Sequence, residues 1–259
     1  MKPLALGLVT ALLLGWLRAV AADPLRFLHC NSENGMSLAA GKQVTISGIV
    51  TAQFSTGKTS RFYVQDRTGG ICVFGSPKHC PALGDSVRVT GRVASYAGLT
   101  QITGDAQSPL RFAAFGRGSR PVAAFVLSPM DVRRTQQPDG CEPNESRLVQ
   151  VPDVFVRNVG GGLTAPGAKF AVDTTYRLVH VGADSATNWV LIRVLPTTGC
   201  GPSNSLAGQP IPLMPVQVTG VLSQYSSRNA ALNGYQILPR TRGDVHTGLG
   251  DYPEPRPPR

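Results

Sequence analysis

One ten-residue phrase occurs twice in this chain, at residues 87–96 and 216–225. Each copy alternates apolar and polar residues up to a Thr-Gly pair and ends on a tyrosine, Tyr96 in the first copy and Tyr225 in the second. Such alternation is typical of a half-buried strand, and a glycine within the strand marks a bend. The repeat therefore predicts one small β fold that is used twice.

Length and composition agree with two small β domains. The chain has 259 residues, which accommodate two units of about 100 residues each. Its 29 glycines and 21 prolines favour many turns between short strands over long helices. With 42% hydrophobic and 15% charged residues, the composition is that of a globular protein and excludes a disordered chain.

The first 21 residues have the form of a secretory signal peptide. Lys2 precedes an apolar run at residues 4–17, and Ala19-Val20-Ala21 supplies a small-x-small cleavage pattern. The alternative is a retained membrane anchor, but the run is shorter than the roughly 20 residues that a spanning helix needs. We expect cleavage near Ala21 and a secreted or periplasmic protein without stable membrane insertion.

The net charge favours an anionic partner only weakly. The formal charge is +10, and loss of Lys2 and Arg18 with the signal segment lowers it by two. A basic exported protein is biased toward nucleic acid, acidic polysaccharide or a lipid surface. The basic residues are, however, spread thinly, with no run longer than Arg133-Arg134.

All five cysteines lie in the exported part, where disulfides form. We expect a Cys72–Cys80 bridge, because these two residues flank the end of one strand, and a Cys141–Cys200 bridge within the second half. Cys30 is then left unpaired. No cysteine spacing matches a zinc site and the four histidines form no ligand pattern, so neither a metal nor a cofactor is expected.

The hydrophobic pattern predicts five strands in the first half, at residues 44–50, 61–66, 71–74, from 87 onward, and 99–103. This is the strand content of an OB-fold, a small barrel that binds ligands across strands two and three. In the second half we expect strands at residues 147–156, 169–172, 176–181, 189–194, 216–225 and 235–238. The sequence thus predicts an all-β protein made of two tandem OB-fold-like barrels.

These elements define the expected domain boundaries. A lead at residues 22–41 precedes the first barrel at 42–112, and the second barrel occupies 145–246. The linker at 113–144 contains a short helix that Ser128 caps and that Pro129 opens. Residues 247–259 form a disordered proline-rich tail.

Three segments of the first half resemble the OB-fold modules that precede the catalytic domain of secreted bacterial nucleases. They are residues 62–71 (FYVQDRTGGI), 83–91 (LGDSVRVTG) and 98–102 (GLTQI). Residues 145–151 and 233–240 resemble the companion module of the same proteins. The resemblance implies an association with nucleic acid. The catalytic domain that follows these modules in the family does not occur in this sequence, so we expect no nuclease activity.

A search for catalytic residues leads to the same expectation. Hydrolysis of a phosphodiester needs clustered acids, or a histidine held beside an acid. Asp139, Glu142 and Glu145 share the linker, but no histidine is near them in the sequence. We therefore assign no catalytic residue.

The hairpin of strands two and three is the expected binding platform. If Phe62, Val64, Ile71 and Val73 fill the barrel, the alternate side chains point outward. The candidate nucleic-acid-binding residues on this hairpin and its loops are Lys58, Arg61, Tyr63, Gln65, Arg67 and Phe74. The aromatic members would stack on bases and the cations would contact phosphates. Alternatively, Tyr63 and Phe74 pack under the linker or against the second module.

The second half contains two further basic-aromatic groups. One consists of Tyr225, Arg228, Tyr235, Arg240 and Arg242, near the closing loop, and its first four members are added to the candidate binding residues. The other consists of Tyr176, Arg177, Trp189 and Arg193. Tryptophan is often buried in the core of a small domain, which argues against this second group as a binding site.

The leading hypothesis is an exported, non-catalytic tandem OB-fold protein that binds single-stranded or extended nucleic acid as an accessory module. One alternative is an extracellular scaffold that binds a peptide, a glycan or a cell-surface protein. Another is the non-catalytic part of a secreted nuclease system whose catalytic part is encoded separately. The strong salt dependence of phosphate binding distinguishes nucleic acid from the other ligands.

Overall fold

The computed structural model describes residues 22–33, 35–55, 58–75, 80–116, 118, 121–133, 139–182, 187–196, 206–226 and 233–247. The expected signal peptide, the tail after residue 247, Arg228 and Cys200 lie outside these ranges. Within the described ranges, no helix has the length and apolar character needed to cross a membrane.

Five strands of the first half close into a barrel. They are β1 Gln43–Ser55, β2 Ser60–Gln65, β3 Gly70–Gly75, β4 Ser86–Tyr96 and β5 Leu99–Thr103. Strand β1 pairs with β2, β2 with β3, β3 in parallel with β5, and β5 with β4, which closes the ring by pairing with β1. This is the predicted OB-fold-like barrel, and β5 has the predicted bounds.

The second half repeats this strand order. Its strands are β8 Leu148–Arg157, β9 Thr174–His180, β10 Trp189–Val194, β11 Val216–Gln224 and β12 Tyr235–Leu238. Strand β8 pairs with β9, β9 with β10, β10 in parallel with β12, and β12 with β11, which returns to β8. The repeated phrase of the sequence thus forms the equivalent strands β4 and β11.

One predicted strand of the second half, at residues 169–172, is wrong. This segment makes a single isolated bridge between Lys169 and Pro210. Phe170 is instead fixed by its side chain, which is buried in the core, and by backbone hydrogen bonds to Gln209 and Gly208. Phe170 therefore anchors an irregular loop, whereas Val172 is exposed.

Short elements extend both barrels into the stretch expected to be a linker. Strand β6 Arg111–Gly116 pairs with β4, and β7 Phe125–Val126 pairs in parallel with β8. Helix α1 Pro129–Arg133 follows, and Ser128 Oγ accepts a hydrogen bond from the Asp131 amide, as predicted for a cap. Strand β13 Val245–Thr247 pairs with β11.

Each barrel has its own core. Phe62, Val64, Ile71 and Val73 lie in the first core, as the alternation along β2 and β3 predicts. The lead also contributes to this core through a 3-10 helix, Leu25–His29, whose leucines are buried. The second core contains the alternate residues of β8 to β12.

A third apolar cluster joins the two barrels. Ala52, Phe54, Tyr63, Cys72 and Leu99 of the first barrel pack against Leu148, Val221 and Leu238 of the second. Tyr63 and Cys72, outward residues of β2 and β3, are therefore covered by the second barrel. Burial of these apolar side chains is the main contribution to the stability of the interface between the barrels.

The disulfide predictions are wrong. Cys30 is bonded to Cys141, so Cys30 is not the unpaired cysteine and Cys141 does not pair with Cys200. Cys72 is a buried free thiol and Cys80 is itself disulfide-bonded, which excludes the Cys72–Cys80 bridge. The physical reason is strand parity, because Cys72 alternates with two core residues and therefore faces the second barrel. Burial raises the pKa of the Cys72 thiol to about 12.

A buried polar cluster, which we call the junction network, ties the lead to both barrels. His29 Nδ1 lies 2.5 Å from Glu145 Oε2, and His29 Nε2 lies 2.5 Å from the carbonyl oxygen of Gly70. Glu145 Oε1 accepts a hydrogen bond of 2.9 Å from the Thr100 amide. His29 and Glu145 are both 0% exposed.

The second half of the junction network surrounds Glu142, which is also 0% exposed. Asn31 Nδ2 donates to Glu142 Oε2 at 2.5 Å, and the Tyr235 hydroxyl of the second barrel donates to Glu142 Oε1. Burial, and then the nearby charge of Glu145, raise the pKa of Glu142 to about 8. Glu142 is therefore neutral over most of the physiological pH range.

The junction network requires close backbone packing at Gly70. A Cβ at this position would lie 2.1 Å from the carbonyl oxygen of Ser146, a distance that no side chain tolerates. Glycine thus allows the segment before β8 to lie directly on the first barrel, next to the His29–Glu145 pair.

Candidate nucleic-acid interface

Tyr63, the central aromatic residue of the predicted platform, is buried in the structure. Tyr63 is 0% exposed and lies in the cluster between the barrels, where its hydroxyl donates to Ser223 Oγ at 3.0 Å. The alternative interpretation, packing against the second module, is confirmed for this residue. A base can reach Tyr63 only if the barrels separate.

Three other candidates also make structural contacts. Gln65 is buried and its Oε1 accepts a hydrogen bond from the Leu148 amide. Tyr235 belongs to the junction network. Arg240 binds both carboxylate oxygens of Asp244 and donates to the Thr51 carbonyl, so its guanidinium is already partnered.

The remaining candidates reach the surface in different places. Lys58 and Arg67 are exposed on loops, and Phe74 is half-buried. Arg61 and Tyr225, which the sequence placed in two separate groups, line one cleft between the barrels. Arg228 lies outside the described residues.

The outer face of β8, β9 and β10 carries the largest group of arginines on the described surface of the second barrel. The inward residues of these strands form the second core, so the alternate residues point outward. We call this surface the basic face, formed by Phe155, Arg157, Arg177, Trp189 and Arg193, with Arg133 of α1.

Trp189 is the centre of the basic face. The Arg133 guanidinium lies 4.3 Å from the centre of the Trp189 ring, and the Arg177 guanidinium lies 4.1 Å from it. Arg157 similarly lies over Phe155, at 4.4 Å. Cation–π contacts hold the planar guanidinium groups against the aromatic rings without using their hydrogen-bond donors.

The charge on this face is largely uncompensated. Among the described residues, no carboxylate forms an ion pair with Arg133, Arg157 or Arg177. Arg157 and Arg177 are directly opposite each other on β8 and β9, an arrangement of like charges that is destabilising in a sheet. Arg193 pairs with Asp173, at 2.5 Å. An anionic ligand would relieve this repulsion.

The two barrels differ in which outer face is open. Strands β9 and β10 hold the same places in the second ring as β2 and β3 in the first. In the first barrel this face is buried against the second, whereas Arg177, Trp189 and Arg193 remain partly exposed. The second barrel therefore presents the surface that OB-folds use for ligands.

Sequence analysis found part of this face. It grouped Arg177, Trp189 and Arg193, but it also included Tyr176, whose ring is in the core and whose hydroxyl accepts a hydrogen bond from the Ala171 amide. It missed Arg157, which alternation along β8 could have identified. It also missed Arg133, because only the tertiary structure places α1 beside β10.

Acidic and histidine side chains do not form a metal site in the described part of the chain, where no three of them converge. The His29–Glu145 pair has the residue types of an acid–base pair. Both side chains are 0% exposed, however, and their polar atoms already hold structural hydrogen bonds.

No family model matches this chain. A segment of 67 residues is 46% identical to Endonuclease YhcR of Bacillus subtilis (strain 168), and the match covers 24% of this chain and 5% of that protein. The chain thus spans a small fraction of the length of this relative.

Two solved structures are similar at low TM-scores. Asparaginyl-tRNA synthetase from Pyrococcus horikoshii gives a TM-score of 0.27 at 18% identity, over 31% of this chain and 21% of that chain. A replication protein A heterotrimer bound to ssDNA gives 0.28 at 13% identity, over 82% of this chain and 57% of that chain. The fold is therefore defined by its own strand pairings, and the sequence similarity is to one segment of a bacterial endonuclease.

Proposed function

We propose that this protein binds single-stranded nucleic acid through the basic face of its second barrel. The observation that carries the proposal is the stack of Arg133, Trp189 and Arg177, which offers an aromatic ring and two cations without carboxylate partners. Base stacking on an aromatic side chain and phosphate contacts to arginine are the usual components of such binding.

Two further points support a nucleic-acid ligand. The charge balance of 25 basic against 15 acidic residues favours a polyanion. The segment of 46% identity belongs to a protein named as an endonuclease, a class that acts on nucleic acid. We further propose that the protein acts outside the cytoplasm as a non-catalytic accessory module.

We expect replacement of Arg177 or Trp189 by alanine to weaken binding of a single-stranded oligonucleotide. Loss of one base stack costs about 1–3 kcal/mol, and loss of one phosphate contact lowers the salt slope by about 0.7. Trp189 also provides the readout. The only other tryptophan is Trp16, in the expected signal peptide, so quenching of tryptophan fluorescence in the exported protein reports directly on the basic face. Trp189→Ala lacks this signal, so its binding is measured by the fluorescence anisotropy of a labelled oligonucleotide.

Arg88→Ala is the matched control for Arg177→Ala. Arg88 is exposed on β4 of the first barrel, away from the basic face, and its loss changes the net charge by the same amount. Equal weakening by both variants would show that only net charge matters. Binding that does not respond to salt would favour a peptide or glycan ligand.

The non-catalytic part of the proposal has its own test. We expect the purified protein to leave DNA and RNA intact in the presence of Mg²⁺, Mn²⁺ or Ca²⁺, because the described acids are either isolated or closed off in the junction network. Cleavage products on a sequencing gel are the measurement. Cleavage that co-elutes with the folded protein and stops on addition of EDTA would contradict the expectation.

A further inference from the structure

A cleft of about 260 Å³ lies where the two barrels meet. The first barrel lines it with Arg61 and Tyr96, and the second barrel with Arg193 and Tyr225. Each barrel thus contributes one tyrosine and one arginine. The volume is below the range of about 300–1,000 Å³ that is typical for drug-sized ligands, and it suits a single nucleotide unit.

The pairing of the tyrosines follows from the repeat in the sequence. Tyr96 is the last residue of β4, and Tyr225 directly follows the last residue of the equivalent strand β11. Both tyrosines are 56% exposed, in contrast to the buried Tyr63 and Tyr235. The two copies of the repeated phrase thus end at the same cleft and leave both rings accessible.

The cleft is held in shape by contacts between the barrels. The Ser226 amide donates to the carbonyl of Ala97 at 2.7 Å, which joins the segment after β11 to the turn after β4. Gly98 in that turn has a φ of +92°, and a Cβ there would lie 2.8 Å from the Gln224 side chain. The positive φ favours glycine at this position of the turn.

The charge in the cleft favours an anion. Arg61 is half-buried, and no described carboxylate forms an ion pair with it. Burial alone would lower the pKa of Arg61, but Tyr63 and Cys72 beside it raise the pKa above its ordinary value, so the guanidinium stays charged. Arg193 forms an ion pair with Asp173 and donates to Thr175, and about a third of its side chain is exposed, so Arg61 supplies the uncompensated charge of the cleft.

The cleft continues the basic face. Arg193 belongs to both surfaces, because it lines the cleft and projects from the outer side of β10, four residues after Trp189. Four residues of a strand span about 13 Å, a distance that a few nucleotides of an extended strand can cross. A chain bound on Trp189 therefore reaches the cleft without leaving the protein surface.

We propose that this cleft is a second subsite, which holds one nucleotide of the bound strand with its base on Tyr96 or Tyr225 and a phosphate between Arg61 and Arg193. The subsite rests on the proposed function, because the same strand occupies the basic face. It is built by both barrels together. Binding at this subsite therefore requires the two-barrel arrangement, and neither barrel forms it alone.

The test uses a labelled twelve-nucleotide oligothymidylate and the exported protein. We expect removal of the tyrosine that carries the base, by Tyr96→Ala or Tyr225→Ala, to weaken binding by about fivefold or more, the effect of losing a base stack. Their melting temperatures should stay close to that of the wild type, because both side chains are mostly exposed. The control is Phe115→Ala, which removes a 64% exposed ring from the edge strand β6.

Measurement of Arg177→Ala on the same oligonucleotide separates the two proposals. If Arg177→Ala weakens binding and both tyrosine variants bind like the wild type, the cleft inference is overturned while the basic face stands. If a tyrosine variant weakens binding and Arg177→Ala does not, the basic face fails, and the cleft is then the primary site and not a second subsite. Photocrosslinking with a 5-iodouracil oligonucleotide is the independent readout. If none of the crosslinked peptides contains Tyr96 or Tyr225, the inference is also overturned.

Discussion

Replacing Glu145 with alanine is expected to lower the free energy of unfolding by about 3–5 kcal/mol, the usual cost of removing one partner from a buried, hydrogen-bonded pair of ionisable side chains. Glu145 accepts hydrogen bonds from the Thr100 amide and interacts with His29 Nδ1, and it is 0% exposed. Alanine would leave both partners without an acceptor in a site that water does not reach. Urea unfolding at pH 7, followed by circular dichroism, measures the loss.

Two other variants interpret this loss. Glu33→Ala removes an exposed carboxylate from the same lead segment that carries His29, and it should change stability by no more than about 0.5 kcal/mol. The loss of unfolding free energy in Glu145→Gln should lie between those of Glu33→Ala and Glu145→Ala. The amide oxygen still accepts from Thr100, and the NH₂ group can donate to a neutral His29 Nδ1. If the free energy of unfolding of Glu145→Ala lies within about 1 kcal/mol of the wild-type value, the junction network does not hold the barrels together.

The junction network shows what a single sequence cannot supply. His29 and Glu145 are 116 residues apart in the chain, and Glu142 and Asn31 are 111 apart. Local patterns carry no information about contacts at such separations. Sequence analysis therefore placed Glu142 and Glu145 in the linker, with no histidine near them, and found no role for His29, whereas the structure buries all three.

Strand positions, in contrast, were readable from the sequence because they depend on local periodicity. Alternation predicted the ring of five strands and assigned Phe62 and Val64 to the barrel interior, where they lie. Alternation also put Tyr63 and Cys72 on the opposite side, correctly. It could not tell what covers that side, and the second barrel does.

The same limit explains the disulfide errors. Proximity along the chain suggested Cys72 and Cys80, but the side chain of Cys72 is directed by strand parity into the interface between the barrels. Cys30 forms a disulfide with Cys141 because the lead makes an antiparallel bridge with the segment before β8. Covalent pairing in a two-barrel protein thus follows the packing of its connecting segments.

The asymmetry of the two barrels unites these observations. Duplication of one fold would give two similar ligand faces, but packing of the barrels buries that of the first, including Tyr63. The second keeps its own face, and the packing creates the cleft in which Tyr96 and Tyr225 meet. The contacts that hold the barrels together therefore also determine which residues can contact a ligand.

The second large effect that we expect is a loss of stability between pH 5 and pH 8 that originates from Glu142. Its pKa is about 8 in the folded protein against an ordinary value of 4.5, because burial and the charge of Glu145 disfavour the ionised form. The folded state therefore binds this proton more tightly than the unfolded chain. The stability from neutral Glu142 is complete below about pH 4.5, falls as the pH rises, and is lost above about pH 8.

Glu142→Gln isolates this contribution, because glutamine cannot ionise and keeps an acceptor for the Tyr235 hydroxyl. Its NH₂ group can donate to Asn31 Oδ1 after a flip of the Asn31 amide, and Oδ1 has no hydrogen-bond partner among the described residues. A full shift from 4.5 to about 8 corresponds to a change of about 5 kcal/mol. We thus expect the free energy of unfolding of the variant, relative to that of the wild type, to rise by about 2 kcal/mol or more between pH 5.5 and 8. Urea unfolding at each pH measures this difference. Parallel stability curves for the two proteins would show that Glu142 is ionised in the folded state and that the junction network tolerates two carboxylates beside one histidine.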